Sequence, residues 1–326
     1  MVLSIARFNF VSPTLDRRTT GELYRAGVEM AAYADDAGFF GLSLEEHHGA
    51  DDGWSPSPLI NAGLMLGCTK QIRVTVSAVL VPLHDPLRLA EDIAVLDLAS
   101  NGRITVIGGL GYRPEEYEAH GKDWSRRGTL MDESIEAMLA AWSGEPFTYQ
   151  GRHARVTPMP QSAPQQLLFI GGRTKAAARR AARFGLPFNP VAELPELEAL
   201  YQEECKANGT KGFVIMPPSS TAFTFVAEDP DEAWASLGEH FLHEAKQYAG
   251  WQTDAVHSAA YSPASTVEEL RAEGKYRVLS PEQCIAAGQE GEGVFVLHPL
   301  CGGLPPERGW DCLRLYVEQV LPALAG

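Results

Sequence analysis

No apolar run in this 326-residue chain approaches the ~20 residues that a helix needs to cross a bilayer, because charge, Pro or Gly interrupts every candidate. A helical membrane span is therefore not expected. The N-terminus lacks the basic start, apolar stretch and small-residue cleavage site of a secretory signal, so the expected location is the cytoplasm. Basic residues are scarce: 27 Lys plus Arg stand against 42 Asp plus Glu, a formal net charge of −15. No Lys/Arg stripe interleaved with aromatics reverses that sign locally, which excludes nucleic acid as a partner. Cysteine is sparse too, with Cys68, Cys205, Cys284, Cys301 and Cys312 odd in number and far apart. No C-x-x-C pair is present, so reduced thiols are expected rather than a zinc centre or a disulfide framework. G-x-S-x-G and H-E-x-x-H are also missing, which argues against hydrolase readings.

What the chain does have is apolar content, 45% of its residues, enough for a large core and too much for a disordered state. Its patterning alternates. A β-like run at 2–9 precedes a helical spacing at 21–37 that Gly38 ends. Strands follow at 39–45, 72–81 and 103–108, with helices at 57–68, 86–99 and 124–142. Residues 146–157 read as a hairpin insertion around Gln150-Gly151. The alternation resumes with strands at 167–170, 188–191 and 221–226 and helices at 174–184, 194–208 and 229–248. Residues 250–292 read as a second insertion with helices at 265–273 and 280–289, before an eighth strand at 293–297 and a closing helix at 310–324. This order predicts an α/β fold of the (β/α)8 TIM-barrel type, a single domain over 1–326 with insertions near 146–157 and 250–292.

In such a barrel the chemistry sits where strands end. After the second strand come Glu45-Glu46-His47-His48, where neighbouring histidines on an extended chain point apart. Proton transfer or hydrogen bonding by one of them fits better than a shared metal ion, and a merely structural histidine weighs about equally. After the third strand, Ser77 and Ala78 are small enough for a planar ligand to approach. After the fourth, Gly108-Gly109-Leu110-Gly111-Tyr112 allows close approach again, but Pro114 interrupts any dinucleotide fingerprint. The sharpest feature is Gly171-Gly172-Arg173-Thr174-Lys175, leading into a helix. Exposed backbone N–H groups, a hydroxyl and positive charge make it a seat for phosphate, the bland alternative being a glycine turn with solvated basic residues. His298, after the last strand, is placed to line the cavity, and with His48 and Tyr112 it is a candidate for the substrate pocket.

Several of these segments, in this order, resemble the bacterial luciferase-like family of flavin- or F420-dependent oxidoreductases. They are Gly38-Phe39 through Glu46-His47-His48, His84-Asp85-Pro86 through Gly102-Arg103, Gly108 through Tyr117, and Gly171 through Thr174 with Ala181 through Pro187. The resemblance implies a barrel with the isoalloxazine at the strand ends. It places Ser77 and Ala78 beside the ring, Gly108 and Gly109 beside ring or ribityl chain, and Gly171, Gly172, Arg173 and Thr174 around the phosphate. His47 matches the family's proton-transfer histidine. The luciferase subunit itself has a cysteine and an arginine where this chain has Gly108 and Gly109, so light emission and long-chain aldehyde chemistry are not implied. The expectation is an FMN-dependent monooxygenase acting on a small organic substrate, served by a separate flavin reductase, and a homodimer by resemblance. An F420-dependent reductase or dehydrogenase is the alternative. A non-catalytic flavin-binding barrel and a sugar-phosphate lyase or isomerase stand further off.

Overall fold

The computed structural model describes residues 2–217, 223–251 and 261–324. In chain order the elements are β1 (Leu3–Phe8), α1 (Arg17–Asp36), β2 (Gly41–Leu44), α2 (Pro58–Cys68), β3 (Arg73–Leu80), α3 (Pro86–Ser100), β4 (Ile104–Gly109), α4 (Pro114–Ala119) and α5 (Arg127–Trp142). Then follow β5 (Phe147–Tyr149), β6 (Arg152–Ala154), α6 (Pro164–Leu167), β7 (Leu168–Gly171), α7 (Lys175–Phe184), β8 (Phe188–Asn189) and α8 (Pro195–Asn208). The chain ends with β9 (Phe223–Val226), α9 (Pro230–Gly250), α10 (Val267–Glu273), β10 (Tyr276–Leu279), α11 (Pro281–Gln289), β11 (Val294–Leu297), α12 (Pro306–Leu315) and α13 (Leu321–Leu324).

Two compact units share the chain. One gathers Met1–Pro56, Cys68–Arg73 and Ser220–Gly326; the other gathers Ser57–Gly67 and Val74–Ser219. In the first, the strands run β10-β9-β11-β1-β2, and every pairing is parallel. In the second they run β3-β4-β7-β8, again all parallel. Parallel strands need helical crossovers, which is why the sequence alternates with so few hairpins. The antiparallel pair β5-β6 is the hairpin expected near 146–157, with Gln150 and Gly151 both at positive φ in its turn.

The stretch 250–292 differs from its reading as two helices alone. Between α10 and α11 it also contains β10, which lies parallel to β9 in register Tyr276↔Phe223 to Leu279↔Val226. Four residues directly between two helix caps, one of them the charged Arg277, carry too little alternation to announce a strand. Residues 252–260 of that stretch, and 221–222 of the expected seventh strand, lie outside the described residues.

Local chemistry explains the joints of the first unit. The Asp16 carboxylate accepts from Arg18 N and Thr19 N and so starts α1. At the other end, Asp35 accepts from Lys70, Gln71 and Ile72 backbone N–H groups at 2.5, 2.9 and 2.6 Å. A carboxylate is unfavourable at a helix C-terminus; here it satisfies donors leading into β3. Inside α1, Gly27 is required by packing, because a Cβ there would lie 2.4 Å from the Phe10 ring, which stacks on Tyr24 at 4.4 Å. Gly27→Ala raises helix propensity by about 1 kcal/mol, yet overpacking costs about 1–3 kcal/mol, so a net loss of about 1–2 kcal/mol is expected for so close an approach. Urea denaturation measures it, and a variant as stable as the parent contradicts the tight fit.

Candidate functional site

In the second unit, β3 and β4 pair with an irregularity. Ser77 faces Ile107 and Val79 faces Gly108, so Ala78 is one residue extra. The Ser77–Ala78 peptide is cis. A Cβ on Gly109 would come within 2.9 Å of the Ala78 Cβ, so β4 must end on a residue without a side chain. Gly108 serves a different end. Its side-chain direction is filled by Met131, Val81 and Leu168 at 3.1–3.3 Å, so it packs the helix layer and offers a ligand only its backbone. Beyond it Gly111, at φ +73°, turns the chain into α4, where Tyr117 Oη donates to Leu110 O at 2.5 Å and Arg113 pairs with the buried Glu116 at 3.3 Å. Tyr112 lies half-buried in this loop.

The β7–α7 turn of the same unit is built from close approaches. A side chain on Gly171 would meet Ile107 at 2.8 Å, and Gly172 takes φ +144° with Ala177 Cβ only 2.8 Å from its own missing Cβ. Thr174 is the N-cap of α7, its Oγ1 accepting from Ala177 N at 3.2 Å. The first turn of α7 contains no acid, while Arg173 and Lys175 flank the cap. The positive end of a helix dipole, with basic residues beside it, favours an anion there.

The first unit holds the histidines. His47 is buried, and its backbone N–H donates to Ser55 O at 3.1 Å. Its ring lies in a cluster of aromatics, 5.6 Å from Trp54, 6.3 Å from Tyr248 and 4.7 Å from Trp251 between centroids. His48 points elsewhere and pairs with the buried Glu46, Nε2 to Oε1 at 2.9 Å, as expected for neighbours on an extended chain.

His298 stands after β11, as expected, but wholly buried and engaged by Glu244 of α9 at 2.9 Å. Glu244 is the hub of this unit. Oε1 accepts from Arg7 Nη1 (2.6 Å) and Tyr276 Oη (3.3 Å), and Oε2 from Asn9 Nδ2 (2.8 Å), Gly302 N (3.0 Å) and Cys301 Sγ (3.3 Å). Arg7 spends its remaining fork on Glu45, Nε to Oε1 at 2.6 Å and Nη2 to Oε2 at 2.8 Å. Burial works against the charged form of Glu244, but His298, Arg7 and their hydrogen bonds overcome it and hold the carboxyl well below its ordinary value. Burial, with Arg7 nearby, pulls His298 down, and Glu244 only partly offsets this. Its Nε2 faces the Glu244 carboxylate, and its buried Nδ1 has no hydrogen-bond partner. A cavity of about 10 Å³ lies beside it, lined by Phe223, Thr224, Tyr276 and Cys301 among others. Glu244, His298 and Cys301 bring donor atoms within 4.8 Å of one another. With Arg7 on the same carboxylate and the Cys301 thiol pushed up by burial, the cluster suits an ion-pair network better than a cation.

Arg7, Glu244, Tyr276, Trp54, Tyr248 and Trp251 were not singled out from sequence. Two carried a signal. Arg7 is a lone charge inside an apolar strand, and Glu244 falls on the helical stripe of Leu237, Phe241, Ala245 and Tyr248. Glu244→Gln is expected to cost about 3 kcal/mol at neutral pH, because it removes one of the two carboxylates that neutralise the buried Arg7 and leaves Glu45 alone against it. A carboxyl depressed in the fold stabilises it above the unfolded value near 4.5 and loses that contribution as pH falls further. The stability gap between parent and variant, read by urea titration, should be constant above about pH 5 and narrow below it. A gap that widens in acid contradicts the assignment.

Comparison with known proteins agrees on the family and the fold. The family model described as luciferase-like monooxygenase matches residues 6–293. The oxygenase component of the flavin-dependent trigonelline monooxygenase of Acinetobacter baylyi is 30% identical over 154 residues, 47% of this chain and 42% of that protein. The chain thus matches less than half the length of that relative. Among solved structures, the monooxygenase RslO1 from Streptomyces bottropensis superposes with a TM-score of 0.73 at 24% identity, covering 99% of each chain. The FMN complex of the oxygenating constituent of 3,6-diketocamphane monooxygenase from Pseudomonas putida gives 0.71 at 19%, covering 99% of this chain and 98% of that one. The fold is that of these (β/α)8 TIM-barrel monooxygenases, as the alternating sequence predicts.

Proposed function

The chain belongs to the luciferase-like monooxygenase family, and on that premise we propose that it is an FMN-dependent monooxygenase acting on a small organic substrate. The observation that carries this reading is the β7–α7 turn. Gly171 and Gly172 leave no room for side chains, Thr174 caps the helix, and Arg173 and Lys175 add positive charge with no acid in the first turn. That donor set fits a phosphate monoester. The Ala78 irregularity against Gly109 fits the edge of a flat ring system, with Ser77 and Ala78 on one strand and the Gly108–Gly109 backbone on the next.

Reduced FMN, supplied by a separate reductase, brings the reaction with oxygen. The protein's part is to anchor the phosphate, to exclude water and to manage a proton. We assign the last role to His47, whose ring is shielded by Trp54, Tyr248 and Trp251. His48, Tyr112 and His298 stay as pocket candidates of lower rank: His48 is held by Glu46, and His298 is sealed against Glu244. The expected partners are the substrate, the reductase and a second copy of the chain in the cytoplasm. For the second copy, Ile60 and Leu64 on α2 and Val95 and Leu98 on α3 offer exposed apolar side chains.

Titration of the purified protein with FMN and separately with F420, oxidised and reduced, tests the cofactor. Tight FMN binding is expected, and the pair Arg173→Ala with Thr174→Ala should weaken it at least about tenfold. Unchanged affinity removes the phosphate seat. A preference for F420 makes this a hydride-transfer enzyme, and binding of neither returns it to the sugar-phosphate readings. His47→Ala should keep FMN affinity but lose about 10²-fold or more in oxygen-dependent turnover. Full activity in that variant takes His47 out of the mechanism.

A further inference from the structure

We propose that the substrate is a planar aromatic carbonyl compound that stacks on the Trp251 and Tyr248 rings and accepts a hydrogen bond from the indole N–H of Trp54. The proposal rests on the reading of His47 as the proton-handling residue and names the substrate class of that same site.

Three rings surround His47 in one unit of the protein. Trp54 stacks on Tyr248 at 5.6 Å and 28° and meets Trp251 edge-on at 5.1 Å, while Tyr248 and Trp251 stand 6.4 Å apart. Trp54 is only 1% exposed, whereas Tyr248 and Trp251 keep part of their surfaces open. The wall is pinned at its base. Asp52, itself buried, accepts from Trp54 N at 3.3 Å and from His243 Nε2 of α9 at 3.0 Å, and its carbonyl accepts from Ser12 N at 2.7 Å. The loop bearing Trp54 is thus tied to the helix that leads to Tyr248 and Trp251.

Two observations narrow the ligand. First, the Trp54 Nε1–H is buried with no acceptor. Folded proteins rarely leave such a donor unmet, and a bound ligand that supplies an oxygen acceptor resolves it. Second, the charges around the wall are spoken for or negative. Arg7, 5.8 Å from the Trp54 ring, is held by Glu45 and Glu244, and Glu46 and Asp52 add further carboxylates. An anionic substrate is disfavoured. A caged ammonium is disfavoured as well, because rings in direct mutual contact leave no face-lined gap between them. A neutral, flat molecule with one strong acceptor fits what remains: stacking supplies contact area, and the indole N–H fixes orientation.

Equilibrium dialysis of the full-length protein tests this with three probes: 2-acetylnaphthalene, 2-ethylnaphthalene and acetylcyclohexane. The naphthyl ketone should bind about tenfold tighter than either, the first comparison reading the carbonyl and the second the planar ring. Trp54→Phe keeps the ring and deletes the N–H, so it should erase the preference over 2-ethylnaphthalene while preserving that over acetylcyclohexane. Trp251→Leu should weaken both naphthyl probes alike. Unchanged melting temperature and FMN affinity certify that the variants fold. Equal binding of ketone and hydrocarbon, or a preference that survives Trp54→Phe, overturns the N–H contact. Equal binding of acetylcyclohexane overturns the stacking. The assay needs neither oxygen nor turnover, so its failure leaves the monooxygenase reading standing, and failure of FMN to bind leaves this result readable.

Discussion

A carboxylate with no exposed surface organises the first unit of this protein. Glu244 accepts from Arg7 and Asn9 near the end of β1, from Tyr276 of β10, and from His298, Cys301 and Gly302 after β11. Burying an isolated carboxylate costs several kcal/mol, and only donors on all sides offset it. The donors lie up to 237 residues from Glu244 along the chain, so the charge is tolerable only when all of them are in place. An apolar substitute of the same shape can match the net stability of such a cluster, but it does not impose the same geometry. The gain is register: α9 has one place to sit, and that place fixes where Tyr248 and His243 lie. Arg7 extends the constraint through its second fork to Glu45, directly ahead of Glu46, His47 and His48.

The second unit achieves precision by the opposite means, through absent side chains. Gly108, Gly109, Gly171 and Gly172 each face a neighbour within about 3 Å of where a Cβ would stand, yet the neighbours differ in kind. Behind Gly108 lies a packed hydrophobic layer, and behind Gly109 and Gly172 lie Ala78 and Ala177. Small residues meeting small residues let backbones approach one another, and a backbone brought forward offers N–H groups to a ligand without intervening bulk. The same economy governs α7, where Thr174 meets one of the orphan donors of the helix start and Arg173 and Lys175 surround the rest with charge.

Most of the framework was legible in the sequence because it rests on local rules. Parallel strands alternating with amphipathic helices leave two periodicities that take turns, and Gly, Pro and capping residues mark the joints. The Gln150-Gly151 hairpin and the Thr174 cap belong to the same local grammar. What stayed hidden was non-local. The strand at Tyr276–Leu279 is held by pairing with residues more than fifty positions away, and its own four residues say little. The side-chain partner of His298 is Glu244, itself held by Arg7, so sequence could place the histidine after its strand without showing that it is sealed in an ion-pair network. Trp54 and Trp251 are almost two hundred residues apart, and no spacing rule joins them around His47.

This division between local frame and non-local site follows from what each must do. A phosphate is small, charged and common to many ligands, so a short contiguous turn of glycine, threonine and base suffices to recognise it, and such a turn reads directly from sequence. A substrate wall must be shaped to one molecule, and shape is assembled from side chains that only the folded chain brings together. In the first unit that assembly runs through Asp52. Its one carboxylate joins the loop of Trp54 to α9 through His243, and Glu244, the next residue on that helix, anchors the same helix to β1. Two adjacent residues of α9 thus face two different constraints, one setting where the helix lies and the other which rings surround His47. The placement of the rings around His47 thus follows from buried electrostatics several residues away.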